Sequence, residues 1–141
     1  MARYFADTSF WVGLSRQRDQ HRQRALAWYQ LVIRTKSTIV TTEAVLLEWL
    51  NAMSDVSTRR IAAESCLRAR ADARIEVVPF DAGLMVAAIE LYRRRFDKNW
   101  SLTDCLSFVV MERRGLTEAL TTDHDFEQAG LKALMLSLPT A

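Results

Sequence analysis

Short apolar or β-branched runs, spaced by stretches of helical period, constrain this chain most. Tyr4-Phe5-Ala6 has no polar break and suits a strand buried on both faces. Thr38-Ile39-Val40-Thr41 is a second run, and Ile75-Glu76-Val77-Val78-Pro79 a third that proline stops. Glu118-Ala119-Leu120-Thr121 is a fourth, and Lys132 to Leu136 a candidate fifth. Phe10 to Leu14 can make a short helical turn after the first strand. Gln20 to Arg34 reads as amphipathic, with Ala25, Trp28, Tyr29 and Val32 at i, i+3, i+4 and i+7. Glu43 to Ser54 carries the apolar arc Val45, Leu46, Trp49, Leu50 and Met53. An arginine-rich helix follows over Ser57 to Ala71.

Asp81 caps a helix running to Arg95, with Leu84, Ala88, Leu91 and Tyr92 on one face. Ser101 opens a helix through Arg113 that is apolar over most of its surface, hence deeply buried, and Gly115 ends it. Asp123 to Ala129 is a short helix closed by Gly130. Strands alternating with helices in this way give an α/β fold whose mainly parallel sheet is covered on both faces. The carboxyl ends of such strands share one rim, where open α/β sheets bind ligands.

The 141 residues fit one domain, 1–141, and only four glycines and two prolines leave no room for a flexible linker. The longest apolar stretches, such as Phe108-Val109-Val110-Met111, are far too short to span a bilayer. Asp7 interrupts the only apolar run near the N-terminus, so no signal peptide is expected and a cytoplasmic protein is. Cys66 and Cys105 both have apolar neighbours and are expected to be reduced core thiols. Net charge is only +2, but arginine greatly outnumbers lysine and clusters, as at Arg93-Arg94-Arg95 and Arg113-Arg114. The guanidinium fork suits phosphate, although such clusters also serve as solvated helix faces.

Acids gather at the rim. Asp7 follows the first strand, Glu48 lies in the helix after the second, Asp104 is in the first turn of the buried helix, and Asp123 follows the fourth strand, with Asp125 two residues on. Alone, each has an ordinary explanation: Asp7 as a helix cap, Ser101-x-x-Asp104 and Thr122-x-x-Asp125 as capping boxes. The second box leaves Asp123 unexplained, and no basic residue along its helix is placed to pair with Glu48. Two like charges about 4 Å apart repel by roughly 4 kcal/mol at a surface-like dielectric. Converging carboxylates therefore raise their pKa values or recruit a cation, and oxygen-only ligands suit Mg²⁺ or Mn²⁺. Such an ion activates water and neutralises phosphate, as phosphodiester hydrolysis requires. Other chemistries lack parts, because the glycines are isolated, His21, His124 and the cysteines form no zinc motif, and no G-x-S-x-G is present.

Four segments carry a family resemblance: Ala6-Asp7-Thr8-Ser9-Phe10-Trp11, Val45-Leu46-Leu47-Glu48, Trp100-Ser101-Leu102-Thr103-Asp104-Cys105 and Leu120-Thr121-Thr122-Asp123-His124-Asp125-Phe126. Together they resemble the PIN domain, in particular VapC-type toxins, the ribonucleases of prokaryotic toxin–antitoxin modules. The resemblance implies a three-layer α/β/α fold with four to five strands and Mg²⁺- or Mn²⁺-dependent cleavage of RNA. It also implies a homodimer and a cognate antitoxin that covers the active groove. By position it makes Asp7, Glu48, Asp104 and Asp123 the acidic site, with Asp7, Asp104 and Asp123 holding the metal. Thr8, Ser101 and Asp125 would support it, and Arg93, Arg94, Arg95, Arg113 and Arg114 are candidates to grip RNA. Two other readings stay open at this point. A PIN-like scaffold that binds RNA or antitoxin without cutting would show no metal-dependent cleavage. A phosphotransfer domain is disfavoured because the third strand ends without a phosphoacceptor aspartate.

Overall fold

The computed structural model describes residues 2–140. Five strands, β1 (Arg3–Ala6), β2 (Thr38–Thr42), β3 (Ile75–Val78), β4 (Glu118–Leu120) and β5 (Lys132–Ala133), form one sheet in the order β3-β2-β1-β4-β5. All four pairings are parallel. Seven α-helices connect them among the described residues: α1 (Thr8–Ser15), α2 (Arg22–Arg34), α3 (Glu43–Ala52), α4 (Arg59–Ala71), α5 (Ala82–Arg94), α6 (Leu102–Arg114) and α7 (His124–Gln128). The chain steps from β1 outward to β2 and β3, then reverses to β4 and β5. With right-handed crossovers this places α1–α4 over one face and α5–α7 over the other, a three-layer α/β/α sandwich. The reversal leaves a crevice beyond the carboxyl ends of β1 and β4, the switch point at which such sheets bind ligands.

The strands form because their side chains are wanted on both faces. Tyr4, Phe5 and Ala6 of β1 are buried, as are Ile39, Val40, Thr41 and Thr42 of β2. Buried Trp11 stacks on buried Trp49 at 5.3 Å between ring centroids, locking α1 to α3. On the other face an aromatic chain runs Phe5–Phe126–Phe108–Trp100, with centroid spacings of 6.4, 4.9 and 4.9 Å. Gly13 lets α1 and α2 approach closely, since a Cβ there would stand 2.8 Å from that of Ala25. Gly115 closes α6 in the left-handed region at φ 66°, as its position in the sequence suggests.

Several boundaries differ from expectation for identifiable reasons. The expected fifth strand lasts only two residues. Met135 donates its N–H to the Thr121 carbonyl (3.0 Å) and buries its side chain, so the chain leaves the ladder for a 3-10 turn over Leu134–Leu136. The α3–α4 connection is longer than expected because Asp55 accepts from both the amide and the hydroxyl of Ser57, forming a turn. Tyr92, grouped with Leu84, Ala88 and Leu91 on one face of α5, is 54% exposed, whereas Leu84 and Ala88 are buried. Cys66 and Cys105 are buried free thiols, as anticipated. Among the described residues no helix is long and apolar enough to cross a membrane.

Phe126 joins α7 to β1 and α6, and so sets where the acids around α7 stand. Phe126→Ala is expected to cost about 3–5 kcal/mol of stability. Urea denaturation checks this, and a loss below about 1 kcal/mol would remove Phe126 from that anchoring role.

Candidate active site at the sheet switch point

The parallel pairing of β1 with β4 builds the site. Register places Phe5 beside Ala119 and Ala6 beside Leu120, and the Asp7 N–H continues the ladder by donating to the Leu120 carbonyl at 3.2 Å. Asp7, immediately after β1, and Asp123, three residues past the end of β4, are thereby brought to one place. Asp7 occupies the N-cap position of α1 but makes no capping bond with its side chain. Its Oδ2 instead accepts from the Thr121 hydroxyl at 2.8 Å. The same Thr121 oxygen accepts from the Asp123 N–H at 3.1 Å. Thr121 is fully buried and ties the two acids together. Sequence reasoning passed over it as a strand residue; the short Thr-Thr-Asp segment was its only signal.

Asp104 sits in the capping box expected of it. The Ser101 hydroxyl accepts from the Asp104 N–H at 3.0 Å, and Asp104 Oδ2 accepts from the Ser101 N–H at 3.3 Å. Asp123, rather than Thr122, is the N-cap of α7, its Oδ1 accepting from the Asp125 N–H at 2.8 Å. That corrects the expected second capping box and gives Asp123 the local role it lacked. Glu48, exposed on α3, accepts from the Thr8 hydroxyl at 2.5 Å. Thr8 and Ser101 thus contact the acids they were expected to support.

The tightest acidic group is Asp104, Asp123 and Asp125, each offering one oxygen within 4.8 Å of the others. Asp125 therefore belongs to the closest trio, a place the sequence suggested for Asp7. Among the described residues none of these acids, nor Asp7 or Glu48, forms an ion pair. The electrostatic consequence is direct. Asp7, only 5% exposed, is pushed up to about 7, chiefly by burial and further by Asp104 and Glu48, against the pull of the Thr8 amide and the Thr121 hydroxyl. Asp104 is pushed up to about 6 by burial and the charge of Asp123. Asp125 is raised by partial burial and Asp123, while Lys98 and His124 pull it down. Three oxygen donors this close, none in an ion pair among the described residues, fit a hard divalent cation.

The arginines fare differently. Arg93 pairs with Glu90, Arg95 with Asp97, and Arg114 with Glu76. Arg113 and Arg114 lie at the far end of α6, about 15 Å along its axis from Asp104, so the structure does not bring them to the acids. Arg94 and Arg113 form no ion pair among the described residues.

Because folding raises Asp7 from an ordinary 3.8 to about 7, the folded chain holds a proton there that the unfolded chain releases. Stability of the metal-free protein should therefore fall as pH rises from about 4 to about 7, then level off. Asp104 contributes with the same sign up to about 6. In chelator, Asp7→Asn should melt higher than the parent at pH 8 and alongside it at pH 4. Equal melting temperatures at pH 8 would refute the electrostatic load on Asp7.

Comparison with known proteins accords with this geometry. The chain matches the PIN domain over residues 4–132. It is 31% identical over 127 residues to the 23S rRNA-specific endonuclease VapC20 of Mycobacterium tuberculosis, covering 89% of this chain and 93% of that protein. The crystal structure of M. tuberculosis VapC20, a sarcin–ricin loop cleaving toxin, matches with a TM-score of 0.80 at 27% identity, over 92% of this chain and 97% of that one. VapBC2 from Rickettsia felis, bound to a promoter DNA fragment, matches with a TM-score of 0.65 at 18% identity, over 92% of this chain and 93% of that one. At that identity the likeness is one of fold. Sheet order, acid placement and a family match spanning nearly the whole sequence agree, and the chain belongs to the PIN-domain family.

Proposed function

We propose that this chain is a divalent-metal-dependent endoribonuclease, the toxin of a toxin–antitoxin pair, with residues 1–141 forming one PIN domain. The observation that carries the reading is the convergence of Asp7, Glu48, Asp104, Asp123 and Asp125 at the switch point, none of them in an ion pair among the described residues. Similarity to an RNA endonuclease over 89% of the chain supports the choice of substrate. Ribosomal RNA is accordingly the first substrate to test.

Asp104, Asp123 and Asp125, with Asp7 beside them, would hold Mg²⁺ or Mn²⁺. Such an ion supplies charge neutralisation at the phosphate and a lowered pKa for water. The chain's own groups do the positioning. Thr121 fixes the orientation of Asp7, and Ser101 that of Asp104. Glu48, exposed and aligned by Thr8, is placed to orient a water or accept its proton.

Partners follow the same reading. An apolar groove of about 430 Å³ between α3 and α4, walled by Leu46, Leu47, Leu50, Leu67 and Phe80, suits the apolar face of an antitoxin helix. Exposed Val86 on α5 suits contact with a second copy in a homodimer. We place the protein in the cytoplasm.

The test is cleavage of purified 23S ribosomal RNA. Activity should vanish in EDTA and return with Mg²⁺ or Mn²⁺. Asp7→Asn and Asp104→Asn should each lower it by about 100-fold or more, beyond what loss of an outer support costs. Undiminished cutting in chelator, or by both variants, would overturn the assignment.

A further inference from the structure

A large cavity opens between α5 and the Arg95–Trp100 segment that leads into α6. It measures about 1020 Å³, and Tyr92, Phe96, Lys98, Asn99, Trp100 and Ser101 are among its walls. Its chemistry is unlike that of the neighbouring acids. Phe96 is 91% exposed, an extreme value for a phenyl ring, and Tyr92 stands beside it at 54%. Both titratable side chains in the wall besides Tyr92, Arg93 and Lys98, are cations, and no carboxylate lines it. Arg93 is engaged by Glu90, which leaves Lys98 as the cation without an ion pair among the described residues. Lys98 also lies near enough to the acidic trio for its charge to act on Asp125.

Two further features describe its wall. Ser101 belongs both to the wall and to the capping box that holds Asp104, so the cavity borders the residue that orients one of the acids. Trp100, 6% exposed, carries the one buried side-chain polar atom without a partner among the described residues, its indole N–H. Its ring is held between the Arg95 guanidinium, 4.9 Å away, and Phe108.

We propose that this cavity receives an unstacked nucleotide of single-stranded RNA flanking the cut bond, its base against Phe96 and its phosphate at Lys98. The strand then passes over Ser101 to the acids. The inference rests on the endoribonuclease reading and deepens it. Charge complementarity selects the occupant: a cationic, aromatic pocket beside an acidic centre suits a polyanion that presents a π-face at each residue. Double-stranded RNA, whose bases are stacked within the helix, cannot offer one to Phe96. Asn99 adds both donor and acceptor for a base edge.

Fluorescence anisotropy with a labelled single-stranded RNA, in the full chain carrying Asp104→Asn, tests this. The same strand annealed to its complement serves as the second probe. Phe96→Ala should weaken single-strand binding by about 5- to 100-fold and Phe96→Trp should retain it. Lys98→Ala should weaken binding and lower the salt slope by about 0.7, and Lys98→Arg should restore both. Duplex binding should change little with Phe96. Light scattering on each variant separates RNA from a second protein copy. A fall in mass on Phe96→Ala, with RNA affinity unchanged, would overturn the inference by assigning the face to a dimer. Unaltered affinity in both alanine variants, beside a parent chain that cleaves RNA, overturns the inference alone. A parent chain that cuts no RNA overturns the function reading and the inference with it.

Discussion

The pairing of β1 with β4 is the constraint on which the rest depends. It closes the gap between two strands more than a hundred residues apart and sets their carboxyl ends side by side. Everything at the rim is then crowded by construction. Asp7 follows β1 directly and Asp123 follows β4 after two threonines, Thr121 bridges them, and α6 delivers Asp104 to the same place. The hydrophobic burial of Phe5, Phe126 and Phe108 beneath the rim resists the repulsion above it. The fold therefore spends stability on holding carboxylates together, a pattern expected where local cost serves chemistry.

Much of the architecture could be read from the chain. The alternation of apolar runs and helical periods identified every strand and α-helix among the described residues, because each period reports burial that the sheet and its covering helices do impose. Ser101, Asp81 and Gly115 marked boundaries through local hydrogen bonding and backbone conformation, which need no tertiary information. The fifth strand was overextended because Met135 donates to the Thr121 carbonyl and is buried, demands set by residues outside the segment.

The acids were legible as a group because strand ends share a rim. Their internal geometry was not. Whether Asp7 or Asp125 stands nearest Asp104 depends on the turn after β4 and on the cap that Asp123 makes. Arginine clustering pointed to Arg93–Arg95 and Arg113–Arg114, yet Arg93, Arg95 and Arg114 are occupied by nearby carboxylates. A cluster in sequence says nothing about which charges remain unneutralised. Lys98 and Phe96, unremarkable in a linear reading, stand out only once the loop after α5 is folded beside the centre.

The sheet edges carry a consequence of another kind. β5 has one free edge of two residues and β3 one of four, and the Glu76 carboxylate in the latter is paired with both Arg3 and Arg114. Short edges guarded by charge discourage a neighbouring chain from extending the sheet. Association with this protein is thus steered away from backbone-to-backbone zippering and onto its helical flanks, where recognition is written in side chains and changes by substitution one residue at a time.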